Sequence, residues 1–531
     1  MRKSSFLCLV LLIWAVVGLA QDRNAGYYTI EKIKIPEGIS LEGGGMAFNV
    51  EGQLGVVTRR GELWLIDDPG SSDPTFSRFA HGLHEPLGLA FKNGSYYANQ
   101  RGEITKITDT NGDGRADLYQ PITTWELSGN YHEYSYGPLF LPDGDMIVTL
   151  NLGWKGRGVS ESKWRGWMLK VTEDGQVTPW ATGLRSPAGF GVNAAGDIFY
   201  TENQGDWVGS GRMTHLEQGD FAGSPEGLRW TGEPDSPLKI TMEDIDDTQG
   251  LSLYDYQEII PAVKPPSVWF PHTLMGISTS DFKVFSKEMG PFEGQLMVGD
   301  QGHSKIMRVY QEKVNGVYQG MCFPFVEGFS SGVLRLCYSP KADAIYVAQT
   351  SRGWASTGGE NHALERLTWT GKVPFDMKTV QVQPEGFKIT FTQPVDKATA
   401  ANPDSYAITD FTYLYHHNYG SPVQQKESRV IREAKVSDDG LSVQLTLDQF
   451  RLGFIYEIRA PGIMNTASNK LLNDYGYYTL NQVPDGSTII SEATGSSTFA
   501  TASSLRVTTQ PGDWDKPDVE IEMGTLPGLK F

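Results

Sequence analysis

The chain has 531 residues, of which 60 are Gly and 29 are Pro, while 11% are aromatic and 20% are charged. The many Gly and Pro residues exclude a long helical bundle, and the many aromatic residues exclude global disorder. The composition therefore favours short strands joined by turns. The formal net charge of −18 at pH 7, with no basic footprint, excludes nucleic-acid binding and attachment to anionic membrane surfaces.

Residues 1–20 have the pattern of a cleaved signal peptide. Two basic residues precede an apolar run over residues 6–17, and cleavage is expected after Ala20. The run is too short for a comfortable transmembrane helix, and no other stretch approaches the length that spanning needs. We therefore expect a periplasmic or secreted protein that is not inserted into a membrane.

Export would leave Cys322 and Cys337 in an oxidising compartment, where disulfides form and persist. A bond between them would close a short loop and stabilise the fold by about 3 kcal/mol on the loop-entropy account. We expect this disulfide, and two buried free thiols are the alternative.

A pattern of strand, turn, strand, polar glycine-containing loop and third strand repeats along residues 43–370. Strand starts near residues 46, 88, 138 and 188 give a period of roughly 40–50 residues, typical of four-stranded propeller blades. The fifth interval is longer and holds a helix-compatible insertion, Met242–Ile260. The copies lie at residues 43–67, 87–107, 136–154, 187–207, 276–310 and 332–354. We predict an all-β chain with a six-bladed β-propeller over residues 21–373, and an array of β-sandwiches is the alternative.

The repeat stops near Pro374. Residues 374–484 alternate strands with turns, as in VQVQPEGFKITFTQPVD, LSVQLTLDQF and FIYEIRA, which is the pattern of an immunoglobulin-like β-sandwich. Residues 485–531 begin with a Ser- and Thr-rich stretch, so we expect a linker or a C-terminal extension there.

The phase of the repeats predicts which loops share one face of the propeller. The loop leading into each inner strand (a leading loop) opens on the same face as the loop after the second strand (an exit loop). We call the mouth that these loops surround the funnel. The leading loops are expected to contribute His84, Glu85, His132, Glu133, Arg185, Ser186, His272 and Ser331. The exit loops are expected to contribute Arg59, Arg60, Gln100, Arg101, Trp154, Lys155, Asn203, Gln204, Gln301, Gly302, His303 and Arg352, with Lys305 a little further on.

Four arginines of an acidic chain would then gather at one mouth: Arg60, Arg101, Arg185 and Arg352. Like charges repel unless an anion compensates them, so the cluster predicts a ligand with carboxylates, such as a quinone cofactor or a uronic-acid sugar. The alternative is that each arginine caps carbonyls or pairs with a nearby acid such as Glu202 or Asp206.

His132 stands out among the nine histidines, because it lies beside Glu133 just before the third inner strand. An imidazole next to a carboxylate can be oriented and made more basic, as a general base requires. The alternative is a histidine that only bonds to a neighbouring loop.

The segment DTNGDGRAD has the oxygen spacing of a calcium loop. Position 12 is Gln120 rather than Glu, so bidentate closure is missing. We expect a structural calcium ion here, and an Asx-rich turn without an ion is the alternative. The expected ligands are Asp109, Asn111, Asp113 and Asp117.

With these residues in view, residues 40–370 resemble the exported six-bladed propellers of the soluble quinoprotein glucose/sorbosone dehydrogenase-like superfamily. The chain is most similar to their large bacterial "membrane-bound dehydrogenase" relatives. The resemblance rests on NYHEYSYGPLFLPDGD, GLRSPAGFGVNAAGDIFYTENQGDW, GQLMVGDQGHSKIMRV and QTSRGW. It implies that His132 abstracts a sugar hydroxyl proton while hydride passes to pyrroloquinoline quinone (PQQ), and that Arg185 lies at the quinone.

The chain departs from this family at three cationic contacts of the quinone. The family's lysine falls near Gly302, and its arginine pair falls near Gly332 and Leu334. Other cations would have to substitute for these contacts, with His303, Lys305, Arg335 and Arg352 as the candidates. The full set expected to bind the cofactor is Arg60, Arg101, Gln204, Gln301, His303, Lys305 and Arg352.

Three functions remain open. The first is an exported oxidoreductase that acts on a sugar or sugar acid and passes electrons to a separate protein or a quinone. The second is a polysaccharide lyase, in which the arginines clamp a uronate and His132 or Tyr134 abstracts a proton. The third is a non-catalytic module that binds carbohydrate on its aromatic surface.

Overall fold

The computed structural model of the chain describes residues 26–153 and 160–491. The expected signal peptide, Trp154, Lys155 and most of the expected C-terminal extension therefore lie outside the described residues. Among the residues that are described, no helix is both long and apolar enough to cross a membrane.

Six four-stranded antiparallel blades follow one another along the chain. The chain begins with β1 (Tyr28–Lys32), and blades one to three consist of β2 (Gly43–Phe48), β3 (Leu54–Thr58), β4 (Leu63–Asp67), β5 (Thr75–Ala80), β6 (Leu89–Lys92), β7 (Ser95–Asn99), β8 (Glu103–Thr108), β9 (Leu118–Thr124), β10 (Ser135–Phe140), β11 (Met146–Leu150), β12 (Trp167–Val171) and β13 (Val177–Thr182).

Blades four to six complete the set. Their strands are β14 (Gly189–Val192), β15 (Ile198–Glu202), β16 (Gly211–His215), β17 (Val268–Phe270), β18 (Thr279–Val284), β19 (Leu296–Asp300), β20 (Lys305–Val314), β21 (Val317–Glu327), β22 (Val333–Tyr338), β23 (Ala344–Thr350) and β24 (His362–Trp369). The expected insertion lies between β16 and β17, and it contains 3-10 turns at Pro225–Trp230 and Met242–Asp244 and the helix α1 (Leu253–Ile259).

The inner strands form a closed ring. Strands β2, β6, β10, β14, β18 and β22 contact one another in that order, and β22 contacts β2 again. The fourth strand of blade six is the N-terminal β1, which pairs with β24 and sets Tyr28 opposite Trp369. The first and last strands of the propeller therefore share one sheet, and the prediction of a six-bladed propeller is confirmed.

The burial of the second strands follows from this ring. Strands β3, β7, β11, β19 and β23 are buried along their whole length. Each is covered on both faces by neighbouring blades, so it needs an apolar run rather than an alternating pattern. The outer strand β9, by contrast, is mostly exposed.

The second domain is a β-sandwich, as expected. Its first sheet has the order β25-β26-β30-β29, and its second continues outward from blade five as β21-β32-β31-β27-β28. The two sheets enclose an apolar core that includes Phe387, Ile389 and Tyr456. The elements are β25 (Met377–Gln383), β26 (Gly386–Phe391), α2 (Lys397–Ala400), β27 (Ala407–Thr412), β28 (Gln424–Arg429), β29 (Ile431–Val436), β30 (Ser442–Leu447), β31 (Phe454–Arg459) and β32 (Tyr475–Leu480).

The expected disulfide is not formed. Cys322 and Cys337 are both free thiols. Cys322 lies on the outermost strand of blade five, whereas Cys337 lies on the innermost strand of blade six, so the propeller separates them. Burial raises the pKa of the Cys322 thiol to about 12 and that of Cys337 to about 11, which keeps both protonated.

Candidate functional site

The leading and exit loops meet on one face, as the repeat phase predicted. In blade two the Gln100 side chain accepts the main-chain amide hydrogen of His84. In blade four the Glu202 carboxylate accepts the amide hydrogens of Arg185 and Ser186, each at 3.0 Å. In blade six the Gln349 side chain accepts the main-chain amide hydrogen of Ser331 at 2.6 Å. The last polar residues of the second strand thus hold the leading loop of the same blade.

One cluster links the first three blades across the funnel. Arg59 donates to Glu85 at 2.7 Å and to the Tyr134 hydroxyl at 3.1 Å. Arg101 lies 3.5 Å from the other oxygen of Glu85 and donates to the carbonyl of Asn130 at 2.8 Å. The two guanidinium carbons lie 5.2 and 5.3 Å from the centroid of the Tyr134 ring. Arg101 is therefore half of a shared ion pair rather than a free cation.

Two exposed cations of the mouth lie between blades one and six. Arg60 lies 3.2 Å from one oxygen of Glu42, and Arg352 lies 3.1 Å from the other. The Glu42 side chain is buried, whereas the side chains of Arg60 and Arg352 are 57% and 41% exposed. Two guanidinium groups share one carboxylate here, so this pair keeps a net positive charge that faces solvent.

Arg185 is enclosed on several sides. Its Nε lies 3.6 Å from Asp206. A Cβ at Gly205 would collide with its guanidinium, so the main chain at Gly205 lies directly against it. On another side the ring of Tyr419 lies 5.1 Å from its Cζ. Tyr419 belongs to the β-sandwich, and nothing in the repeat pattern indicates that this domain reaches the funnel.

His132 and Glu133 lie next to each other on the leading loop of blade three. The Glu133 carboxylate is fully buried and accepts from the main chain of Ser128 and from the Ser162 hydroxyl, at 2.8 and 3.1 Å. That this carboxylate makes His132 more basic remains a prediction. The imidazole packs against Tyr131, with ring centroids 3.9 Å apart and ring planes tilted by 40°.

The exit loop of blade five uses most of its polar groups internally. Gln301 donates to the carbonyls of Thr350 and Trp354 at 3.2 and 2.9 Å. Lys305 is buried and lies 3.5 Å from Glu327. In blade four, Gln204 donates to the carbonyl of Gly209 at 3.2 Å.

Two half-buried histidines at this edge each have one buried ring nitrogen without a hydrogen-bond partner among the described residues. The Nδ1 atoms of His272 and His303 have no partner in the described part of the chain. Burial lowers the pKa of each imidazole. The main chain at His303 is held by Asp300, which accepts its amide hydrogen at 2.7 Å. A buried polar atom of this kind calls for a water molecule or a polar ligand.

The floor of the funnel is closed by Arg335. Its guanidinium donates to the carbonyls of Gly44, Leu87 and Ala188, at 2.8, 2.8 and 2.6 Å. These carbonyls belong to blades one, two and four, so the side chain lies on the propeller axis. Arg335 therefore holds blades together and does not substitute for a missing quinone contact.

The residues present do not fit PQQ in the way the resemblance implies. A Cβ at Gly332 would lie 2.6 Å from the carbonyl oxygen of Gln301 and 2.7 Å from that of Thr350, so no cationic side chain fits there. A Cβ at Gly302 would lie 2.6 Å from the Cβ of Ile277. Together with the enclosed guanidinium of Arg185, these positions lack the cationic set that the family uses.

The expected calcium loop lies between β8 and β9, at the end of the blade opposite the funnel. Asp109 accepts the amide hydrogens of Gly112 and Gly114, at 2.7 and 2.8 Å. The side chains of Asn111 and Asp113 each accept the amide hydrogen of the residue two positions further on. Asp117 accepts the amide hydrogen of Thr110. In the described ranges, no three His, Cys, Asp or Glu residues lie close enough together to hold a metal. Calcium at this loop remains a prediction.

The known proteins that are similar to the chain are solved structures of low sequence identity. No family model matches the chain, and no curated protein matches it. Among solved structures, a candidate oxidoreductase (glucose dehydrogenase) from Thermus thermophilus is similar over 64% of this chain and 99% of its own, with 16% identity and a TM-score of 0.46. The PQQ-bound aldose sugar dehydrogenase of Streptomyces coelicolor is similar over 64% and 98%, with 13% identity and a TM-score of 0.46.

A luciferin-regenerating enzyme is similar to the chain over 65% of this chain and 96% of its own, with 14% identity and a TM-score of 0.42. Sugar dehydrogenase-like oxidoreductases and a luciferin-regenerating enzyme are thus both among the structural neighbours. The fold assignment follows from the strand topology of the chain itself.

Proposed function

We propose that the protein binds a sugar or a sugar acid at the mouth of the funnel. One observation carries this proposal: exposed aromatic rings and exposed guanidinium groups share the mouth. Tyr131, Trp354 and Tyr419 are 50%, 60% and 47% exposed, and all three lie on loops of the funnel face. Rings of this kind stack on the apolar face of a sugar, and the guanidinium groups of Arg60 and Arg352 suit a carboxylate.

Oxidation of the bound sugar is the reaction that we propose for the site. The sequence resemblance to sugar dehydrogenases and the position of His132 at the mouth support it. In this step His132 accepts the proton of a sugar hydroxyl, and the adjoining carbon loses hydride, so a carbonyl forms. No protein side chain accepts hydride, so the two electrons must pass to an acceptor from outside the chain. We propose a separate electron-accepting protein or a diffusible quinone, in an exported protein.

Non-catalytic sugar binding is the second candidate. Two observations favour it: the buried Glu133 carboxylate is bonded to Ser128 and Ser162, and Arg59, Arg101 and Arg185 all have carboxylate partners. A uronate lyase needs a free cation to neutralise the developing enolate. Arg60 and Arg352 share Glu42 and so keep only one net positive charge between them, which makes a lyase the function that we favour least.

Dye reduction tests the oxidoreductase. The full chain would be mixed with an artificial electron acceptor and a panel of aldoses and uronic acids, with and without added PQQ. We expect sugar-dependent reduction by the wild type and its loss in His132→Ala, with a thermal midpoint close to that of the wild type. Reduction that persists in His132→Ala would remove this residue from the mechanism. Sugar binding without any reduction would leave the non-catalytic function.

A further inference from the structure

The β-sandwich sends one long loop to the funnel. Residues 413–423, which we call the arm, connect β27 to β28 and lie against the insertion and exit loop of blade four. At the base of the arm, the amide of Tyr415 donates to the carbonyl of Leu251, and its hydroxyl donates to that of Gly223, at 2.9 and 2.7 Å. The base is therefore fixed to the propeller.

The tip of the arm is fixed to the loop that encloses Arg185. The amide of Gly420 donates to the carbonyl of Gly205, and the amide of Ser421 donates to that of Gly209, both at 2.9 Å. Tyr419 forms an antiparallel bridge with Asp206. These main-chain contacts at and beside Tyr419 fix the backbone from which its ring projects.

The ring of Tyr419 is backed by protein and still open to solvent. The Arg185 guanidinium lies 5.1 Å from its centroid, and the main chain at Gly205 supports that guanidinium from another side. Tyr419 nevertheless stays 47% exposed. An aromatic ring held in place before a ligand arrives loses little entropy on binding, which is what a stacking platform needs.

We propose that Tyr419 is a sugar-binding platform, so that the second domain completes the ligand site of the propeller. This inference rests on the proposed function, because it names the residue on which the sugar ring stacks. The apolar face of a pyranose would lie against the open face of the Tyr419 ring. The ring also covers one side of the Arg185 guanidinium, so the arm limits access to Arg185 from that side.

Calorimetric titration of three variants of the full chain tests the platform. The probes are tetragalacturonate and cellotetraose. Tyr419→Ala removes the ring and Tyr419→Phe keeps it, while Tyr119→Ala removes a ring that is 39% exposed on the outer strand β9. We expect Kd to rise about tenfold in Tyr419→Ala, as for a hot-spot residue, and to change less than about threefold in the other two.

The outcomes separate the two proposals. If the wild type binds a probe and Tyr419→Ala binds it equally well, the platform is overturned and sugar binding stands. If the wild type binds neither probe, both proposals fail. If Tyr419→Ala has a lower thermal midpoint, a wild-type crystal soaked with the bound probe decides: a sugar ring within about 4 Å of Tyr419 supports the platform, and a sugar elsewhere overturns it.

Discussion

Arg185 illustrates how the surroundings of a residue limit what its sequence position implies. The sequence indicates a cation in the leading loop of blade four, available to an anionic ligand. In the structure Asp206, Gly205 and Tyr419 surround it, and Tyr419 comes from outside the repeat pattern altogether. A guanidinium that is already paired with a carboxylate and packed against a ring has less of its charge and surface available to bind an anionic ligand.

His132 and Glu133 are neighbours in sequence, and the surroundings of Glu133 decide the direction of its side chain. The sequence places both in one loop, as the structure does, but it does not indicate the direction of each side chain. Glu133 turns inward because Ser128 and Ser162 satisfy its carboxylate there. A buried carboxylate without such donors would be costly, so these partners decide its direction.

The partial burial of His272 and His303 predicts that the stability of the fold depends on pH. Burial lowers the pKa of His272 and His303 below their ordinary value of 6.5. The folded protein therefore binds fewer protons than the unfolded chain, and this stabilisation is present above pH 6.5 and is lost as the pH falls below it. We expect the double variant His272→Gln/His303→Gln to lose less thermal stability than the wild type between about pH 7.5 and about pH 5.5.

The comparison of slopes matters because two acids oppose this effect. Burial raises the pKa of Asp220 and Asp376 to about 6, so protonation of these groups favours the folded state as the pH falls. Both acids are unchanged in the double variant, so their contribution cancels in the comparison. Equal slopes for the wild type and the variant would contradict the assignment to the histidines.

At the scale of elements, Arg335 on β22 predicts a large loss of stability on substitution. Its removal in Arg335→Met would leave carbonyls of three other blades without their donor at the axis. Each unsatisfied buried group costs about 1–3 kcal/mol, so we expect a loss of about 3 kcal/mol or more in the free energy of unfolding. Urea denaturation measures this loss, with Arg366→Met as a control on β24, the third strand of blade six.

A loss below about 1 kcal/mol in Arg335→Met would show that water replaces the guanidinium at the axis. The control should change little, because the Arg366 side chain is partly exposed and its ion pair with Glu31 lies on the surface.

The blades could be predicted from the sequence because each is a local unit of strands and turns. The closure by β1 and the continuation of β21 into β32 could not, because each joins strands that are remote in the chain. Residues 28–32 do not carry the repeat pattern, and Cys322 pairs with Tyr477, which lies 155 positions further along. The length of β20 and β21, 10 and 11 residues, also explains why the fifth copy departs from the others.

At the scale of the whole molecule, the propeller and the sandwich share structure. Blade five and one sandwich sheet form a single eight-stranded sheet, and the arm fixes the sandwich to blade four. Met321 and Phe323 of β21 belong to the core of the sandwich. We therefore expect one cooperative unfolding transition for the two domains, measured by calorimetry of the full chain.

A chain truncated after Val373 is the matched test of this coupling. It would expose the edge of β21 and the apolar side chains that the sandwich covers, so we expect aggregation or a lower midpoint. Two separate transitions in the full chain, together with a stable truncated propeller, would contradict the coupling.

The charge distribution of the molecule favours an anionic sugar at the funnel. The chain is acidic overall, yet Arg60 and Arg352 leave a net positive, solvent-facing pair at the mouth beside exposed rings. An attraction between exposed charges weakens as salt screens it, which separates this contribution from stacking.

The most direct test of sugar recognition at the funnel is a calorimetric titration of the full chain with tetragalacturonate, with cellotetraose in parallel and at two salt concentrations. We predict saturable binding that is tighter for the uronate, weaker at high salt and weaker again in Arg352→Ala. The absence of saturable binding to both sugars would contradict the proposal that the funnel recognises a sugar or sugar acid.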